Sequence, residues 1–227
     1  MALIEKDPRN AERIFPYLGG EEVNSSPTQS DHRYVISFGQ MSLEEVERWP
    51  DLIGIVREKV KPERDRKNRA NYKDRWWQFG EYRPGLFTAI AGLERCLVAA
   101  RVSKHLLMAE QPTDRIFSEQ LYVFALDSWT AFAILQSRIH EPWAWLLSST
   151  MRMAGIRYAA SDCFETFPFP QSDPRAVIPA LEDIGQRLYD ARGLYMVETQ
   201  QGLTDTYNRL KDCDLSGRAH RTSSPAS

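Results

Sequence analysis

Between Arg57 and Arg75 the chain carries nine basic residues against four acidic ones, and the run passes straight into Trp76, Trp77, Phe79 and Tyr82. Phosphate groups demand dense cations on a scaffold that aims them, so the stretch reads as a phosphate-facing surface. The competing reading is a solvated helix whose neighbouring rings sit in a core. Asp51, followed at a distance by Asp65-Arg66-Lys67, formally fits the acid, acid-x-lysine pattern with which nucleases hold a divalent ion and orient water. That chemistry needs the second acid and the lysine on a strand, whereas this stretch is helix-forming, which favours a solvated or phosphate-facing helix over a metal site. Cys163 has no positioned histidine base in view and no serine sits in a G-x-S-x-G elbow, so Cys163 reads as a buried thiol. His105, beside Lys104 on an expected strand, is either a phosphate donor or a satisfied, partly buried histidine. Neither a G-x-x-x-x-G-K loop nor an Asn-Pro-Pro or Asp-Pro-Pro tetrapeptide occurs, and Gly19-Gly20 has no expected strand before it, so the residues argue for no cofactor site.

These groups must be carried by elements the pattern predicts. Residues 1–33 are rich in turn formers and read as an irregular segment pinned by Ile14, Phe15, Tyr17, Leu18 and Val23. Tyr34–Phe38 is a short strand; Ser42 and Glu45 form a capping box for a helix that Pro50 closes, and a second helix follows Asp51. Cys96–Val102, Leu106–Ala109 and Phe117–Leu126 read as strands, then Asp127 or Ser128 caps a helix and Ile139–Leu147 is helical again. Periodicity is lost over 150–163, and the prolines of Phe167-Pro168-Phe169-Pro170 end the block. Apolar spacing from Val177 to Leu210 predicts two helices broken near Gln200–Gly202. The expected architecture is α+β, a mixed sheet with packed helices followed by a small helical appendage. The expected division is 1–170, a helical segment at 171–214, and a polar tail at 215–227 expected to be disordered.

The chain has 227 residues, 42% hydrophobic and 26% charged, with a formal net charge of -2, which is globular composition without a global basic signature. Any nucleic-acid footprint must therefore be local. No uncharged apolar run is long enough for a membrane helix and the first residues are charged, so the expectation is a cytoplasmic protein. Three widely spaced cysteines argue against a disulfide framework, and none stands at ligand spacing from a histidine, which argues against structural zinc.

Longer strings carry a more specific signal. IFPYLGGEEVN at 14–24, KPER at 61–64, WWQ at 76–78, IAGLER at 90–95, LQSRIHE at 135–141, SDCFETFPFP at 161–170 and LTDTYNR at 203–209 resemble the carboxy-terminal part of the MmeI-like type II (IIG/IIL) restriction–modification enzymes and related adenine-specific DNA methyltransferases. The resemblance implies a target recognition domain and a final helical segment, with the nuclease and the S-adenosylmethionine-dependent methyltransferase lying outside the part represented here. It implies double-stranded DNA as one partner and a methyltransferase domain, in cis or in trans, as another, with no catalytic, cofactor or metal site in this chain. By chain order, the stretch before the Phe-Pro-Phe-Pro turn corresponds to the family's base-reading loops, which offers Arg152, Arg157, Tyr158 and Ser161. Phosphate contacts are assigned to Lys61, Arg64, Arg66, Lys67, Lys73, Arg101, Lys104 and His105. The alternative is a degenerate or protein-interaction module, which gains if the basic residues of 57–75 pair with Glu58, Glu63 and Asp65.

Overall fold

The computed structural model describes residues 2–30, 32–151 and 155–212. The chain opens with α1 (Ala2–Lys6), a 3-10 turn (Pro8–Arg13), β1 (Ile14–Leu18), α2 (Gly20–Ser25) and β2 (Arg33–Ile36). Five helices follow: α3 (Leu43–Val46), α4 (Pro50–Lys59), α5 (Lys61–Asp65), α6 (Ala70–Asp74) and α7 (Pro84–Ile90). The central block is β3 (Arg95–Ala100), β4 (Val102–Ser103), β5 (Ala109–Pro112), β6 (Ile116–Phe117), β7 (Leu121–Phe124), α8 (Trp129–Leu135) and α9 (His140–Leu147). It is completed by β8 (Ser149–Met151), β9 (Gly155–Arg157) and α10 (Ala160–Cys163), then α11 (Pro179–Thr199) and α12 (Leu203–Leu210). The fold is α+β, with three small sheets ordered β2-β1-β6, β5-β3-β7 and β4-β9-β8.

Two compact units emerge, and they interleave along the chain. The first comprises 1–17, 31–91 and 114–116. Its core is a cluster of Phe38, Trp49, Leu52, Ile53, Val56 and Trp76 beneath α3 and α4. Trp49 gains a fixed orientation because its indole N–H donates to the Arg9 carbonyl at 2.9 Å while the Arg13 guanidinium lies 4.6 Å over its ring. Ser42 caps α3 as its capping box requires, with the Ser42 hydroxyl accepting from Glu45 N and the Glu45 carboxylate accepting from Ser42 N. Pro50 does not close that helix. It stands in the first turn of α4, where its missing N–H costs nothing.

Among the described residues, the second unit comprises 18–30, 92–113, 117–151 and 155–212. Strand β3 is buried along nearly its whole length and pairs antiparallel with β5 and β7, putting Leu97 and Ala99 into a core with Phe124, Phe132, Leu135 and Tyr158. Helix α11 packs on α8, and its Glu182 carboxylate accepts from Trp129 N at 3.0 Å and Thr130 N at 2.6 Å, capping the shorter helix from outside. The helical segment beyond 170 therefore belongs to the same compact unit as the central sheet, because α11 lies along α8, with Gly185 against the Trp129 backbone, Tyr189 on Trp129 and Phe132, and Glu182 capping. The tail at 215–227 lies outside the described residues.

Three local readings change. Ile14–Leu18 is a strand, hidden in the sequence by Pro16 and the surrounding turn formers. The expected strand at Leu106–Ala109 starts only at Ala109, because Gln136 takes over the backbone before it: its Oε1 accepts from Met108 N at 2.8 Å and its Nε2 donates to the Leu106 carbonyl. The expected strand at Phe117–Leu126 is split by a turn in which the Ser118 hydroxyl accepts from Gln120 N.

Candidate nucleic-acid interface

The second unit holds an open cleft of about 870 Å³ whose walls include Arg101, Lys104 and Arg157 together with Glu21, Glu119 and Asn24. Its cations are placed by backbone pairing. Val102 is opposite Arg157 and Ser103 opposite Ile156 in the β4–β9 ladder, and Tyr158 N donates to the Arg101 carbonyl at 3.0 Å. Side chains alternate along β9, so with Ile156 and Tyr158 buried, Arg157 stands exposed. Gly155 makes the close approach of the two strands possible: its φ is +94°, and a Cβ there would sit 2.2 Å from the Ser103 carbonyl oxygen. The Arg101 guanidinium is braced by the Tyr122 ring at 5.1 Å and donates to the Glu119 carbonyl at 3.2 Å. Lys104 and Arg157 are exposed and make no ion pair among the described residues.

Two of the expected contacts are corrected by burial. Tyr158 is 1% exposed, with its ring against Tyr122 and Phe124 and its hydroxyl 3.2 Å from His140 Nε2, so it lies in the core and cannot reach a base edge. His105 is 7% exposed and bonds Asn208 at 3.0 Å. Burial pushes its pKa below the ordinary histidine value, which leaves no imidazolium to meet a phosphate at neutral pH. Ser161, on α10, is exposed with its hydroxyl donating to Asp162, and it does not line the cleft. Arg152 lies outside the described residues.

In the first unit the basic run is divided among short helices and much of its charge is engaged. Lys61 pairs with Asp65 at 2.8 Å and Lys67 with Glu63 at 3.2 Å, one helical turn apart in each case. The Arg64 and Arg69 guanidinium groups lie over the Tyr72 ring, at 4.6 Å and 5.9 Å, and Arg69 also meets Glu81. Arg66 and Lys73 are exposed and form no ion pair among the described residues. Trp76 is core, and Trp77 donates its indole N–H to the Met41 carbonyl, so neither ring is a stacking platform. The nuclease constellation does not assemble: Asp51 pairs with Lys6, Asp65 with Lys61 and Lys67 with Glu63. Among the described residues, no group of three His, Cys, Asp or Glu side chains could hold a metal ion. Cys163 is a buried thiol 3.1 Å from the Ser148 hydroxyl.

Sequence reasoning missed Glu21, Asn24 and Glu119 as cleft residues. A signal existed for the first two, since Gly19-Gly20 does follow a strand and opens α2. The first turn of that helix serves the fold, however, because the Glu22 carboxylate accepts from Gly19 N at 2.9 Å.

An α+β body with an open cleft whose cations stand on or beside short paired strands has the layout of a module that grips a polyanion rather than one that encloses a small substrate. The target recognition domain of MmeI matches residues 1–171, and the chain belongs to that family. The fold agrees: the type IIL restriction–modification enzyme MmeI, solved in complex with DNA, superposes with a TM-score of 0.59 at 16% identity, covering 84% of this chain. This chain spans 24% of that one. No curated protein matches the sequence. No described helix is long and apolar enough to cross a membrane.

Proposed function

We propose that the chain is a sequence-reading module for double-stranded DNA, with the cleft of the second unit as its reading surface. The observation that carries this is the meeting of Arg101, Lys104 and Arg157 in one cleft of a chain that belongs to a target recognition family. Arg157, exposed on a short strand, is the group suited to fork onto guanine, while Lys104 and Arg101 fix register through phosphates. Glu21 and Glu119 in the same cleft supply acceptors for a cytosine amino group and exclude a uniformly anionic fit. Arg66, Lys67 and Lys73 of the first unit add sequence-independent attraction to the duplex.

The module itself makes and breaks no bond. Transfer of a methyl group from S-adenosylmethionine to a flipped adenine belongs to a methyltransferase region in the same polypeptide or in a separate one. The strand–glycine–helix turn at Gly19-Gly20 has its Gly19 amide taken by the Glu22 carboxylate, which supports placing a cradle for that cofactor elsewhere. The pairing of Lys61 and Lys67 with their own helix neighbours is the observation that favours the second reading, a protein-interaction module.

Fluorescence anisotropy of the whole chain with a randomised duplex library at two salt concentrations, followed by sequencing of the bound fraction, decides between them. An enriched motif with a steep salt slope is expected. Salt-independent absence of binding would defeat the DNA reading and favour the interaction reading instead.

A further inference from the structure

The cleft cations stand on a ladder that is short for the job. Strand β4 has two residues and β9 has three, and a strand slipped by one residue turns every side chain to the opposite face. A slip of β9 would carry Arg157 inward and Tyr158 outward, opposed by two residue pairs with β4 and three with β8. A contact behind so short a ladder can add to that restraint.

Behind β9 lies a buried polar chain that neither the cleft nor the core packing accounts for. His140 is 0% exposed at the start of α9, and its Nδ1 lies 2.8 Å from the Leu135 carbonyl. A carbonyl only accepts, so Nδ1 carries the proton, and the neutral ring leaves Nε2 to accept from the Tyr158 hydroxyl at 3.2 Å, with the Cys163 backbone carbonyl also facing the ring. Burial lowers the His140 pKa and raises that of Tyr158, which keeps the imidazole and the phenol neutral and the bond in this sense. The Tyr158 ring meets Tyr122 edge-on at 5.7 Å, and Tyr122 in turn carries the Arg101 guanidinium. A buried hydroxyl is stable only where it finds its acceptor, so the pair selects one register in which an apolar contact would tolerate several.

We infer that His140 and Tyr158 are positioning residues, which hold β9 in register and so set Arg157 and Arg101 at a fixed spacing on the cleft wall. The inference rests on the DNA-reading function for its purpose. Its structural half does not depend on DNA.

The test uses the whole chain and its Tyr158→Phe variant, which keeps the ring and removes the hydroxyl. Amide hydrogen exchange reads the Tyr158 N–H that donates to Arg101, and library selection reads discrimination. In the variant the Tyr158 amide is expected to exchange at least tenfold faster, and the enrichment of the preferred motif to fall about tenfold, with non-specific affinity and its salt slope retained. His140→Leu should behave like Tyr158→Phe, and His140→Gln, which offers both a donor for Leu135 and an acceptor for Tyr158, should restore both readouts. Unchanged exchange in Tyr158→Phe overturns the inference, and so does faster exchange with undiminished enrichment. If Tyr158→Phe fails to fold, the His140→Leu and His140→Gln pair decides by the same exchange readout. A wild-type chain that binds no duplex would defeat the proposed function alone, with the exchange rates still deciding whether the pair holds the strand.

Discussion

The stretch 57–75 of the first unit and the segments 100–104 and 155–158 of the second offer the same chemistry in opposite forms. The former is crowded with cations that sit on short exposed helices, where Lys61 and Lys67 face carboxylates one turn away and Arg64 lies on Tyr72. The latter has only Arg101, Lys104 and Arg157, but a strand ladder aims them into one cleft and a buried core stands behind it. Charge density along a chain attracts a polyanion from any direction and is screened by salt, whereas discrimination between bases needs a few groups held still. On the proposed function, the sparse set held by paired strands is the reader and the dense, locally paired set the unspecific grip.

The sharpest way to break this contrast is to remove the rigidity without touching a cation. Gly155→Ala forces a residue with a side chain into φ +94° and against the Ser103 carbonyl. It is expected to cost ~2–4 kcal/mol of stability and to abolish motif enrichment, as checked by denaturant unfolding and library selection. Next in size, Arg157→Ala should cost ~1–3 kcal/mol of discrimination at one base position while leaving binding to other sequences nearly intact, measured by competition with single-position duplex variants.

A smaller effect separates the units by acid. His140 and His105, both in the second unit, are held below the ordinary histidine pKa by burial, so the unfolded chain binds more protons than the folded one in mild acid. The stability they contribute is complete above the unfolded value of ~6.5 and is lost as pH falls from there through their folded values. His140 faces the Leu135 carbonyl, the Tyr158 hydroxyl and Cys163, while His105 faces Asn208, Lys104, Lys211 and Glu141; neither set neutralises an imidazolium well. The unfolding midpoint followed by circular dichroism between pH 7.5 and 5 should therefore fall, and less steeply in His140→Gln. The smallest expected effect is that of Lys67→Ala. It should weaken all duplexes alike by roughly twofold to fivefold and lower the salt slope by about 0.9, and a loss confined to one motif would place the first unit in base readout.

The difference between the two regions also explains what was legible. The charge run announces itself because composition is a local property, and so do the Ser42 and Ser128 caps and the break at Gln200–Gly202, where the described helices begin and end as the pattern requires. The cleft is not legible in that way. Arg101 and Arg157 stand 56 positions apart in the sequence and become neighbours only through the antiparallel pairing of β4 with β9, while Glu21 and Asn24 arrive from a helix near the amino terminus. Tyr158 illustrates the converse: chain order put it with Arg157 among the base-reading candidates, but a strand alternates faces, and the inward one went to the tyrosine.

By itself the sequence determined the α+β class, the longest helices, the family and the absence of a global basic signature, because periodicity, capping and long ordered strings are carried by neighbouring residues. Only the tertiary structure decided which cations share a cleft, which aromatics and histidines are sealed in the core, and which carboxylates answer the basic run. Those outcomes depend on strand register and on burial, and both are settled by contacts between residues that the chain keeps far apart.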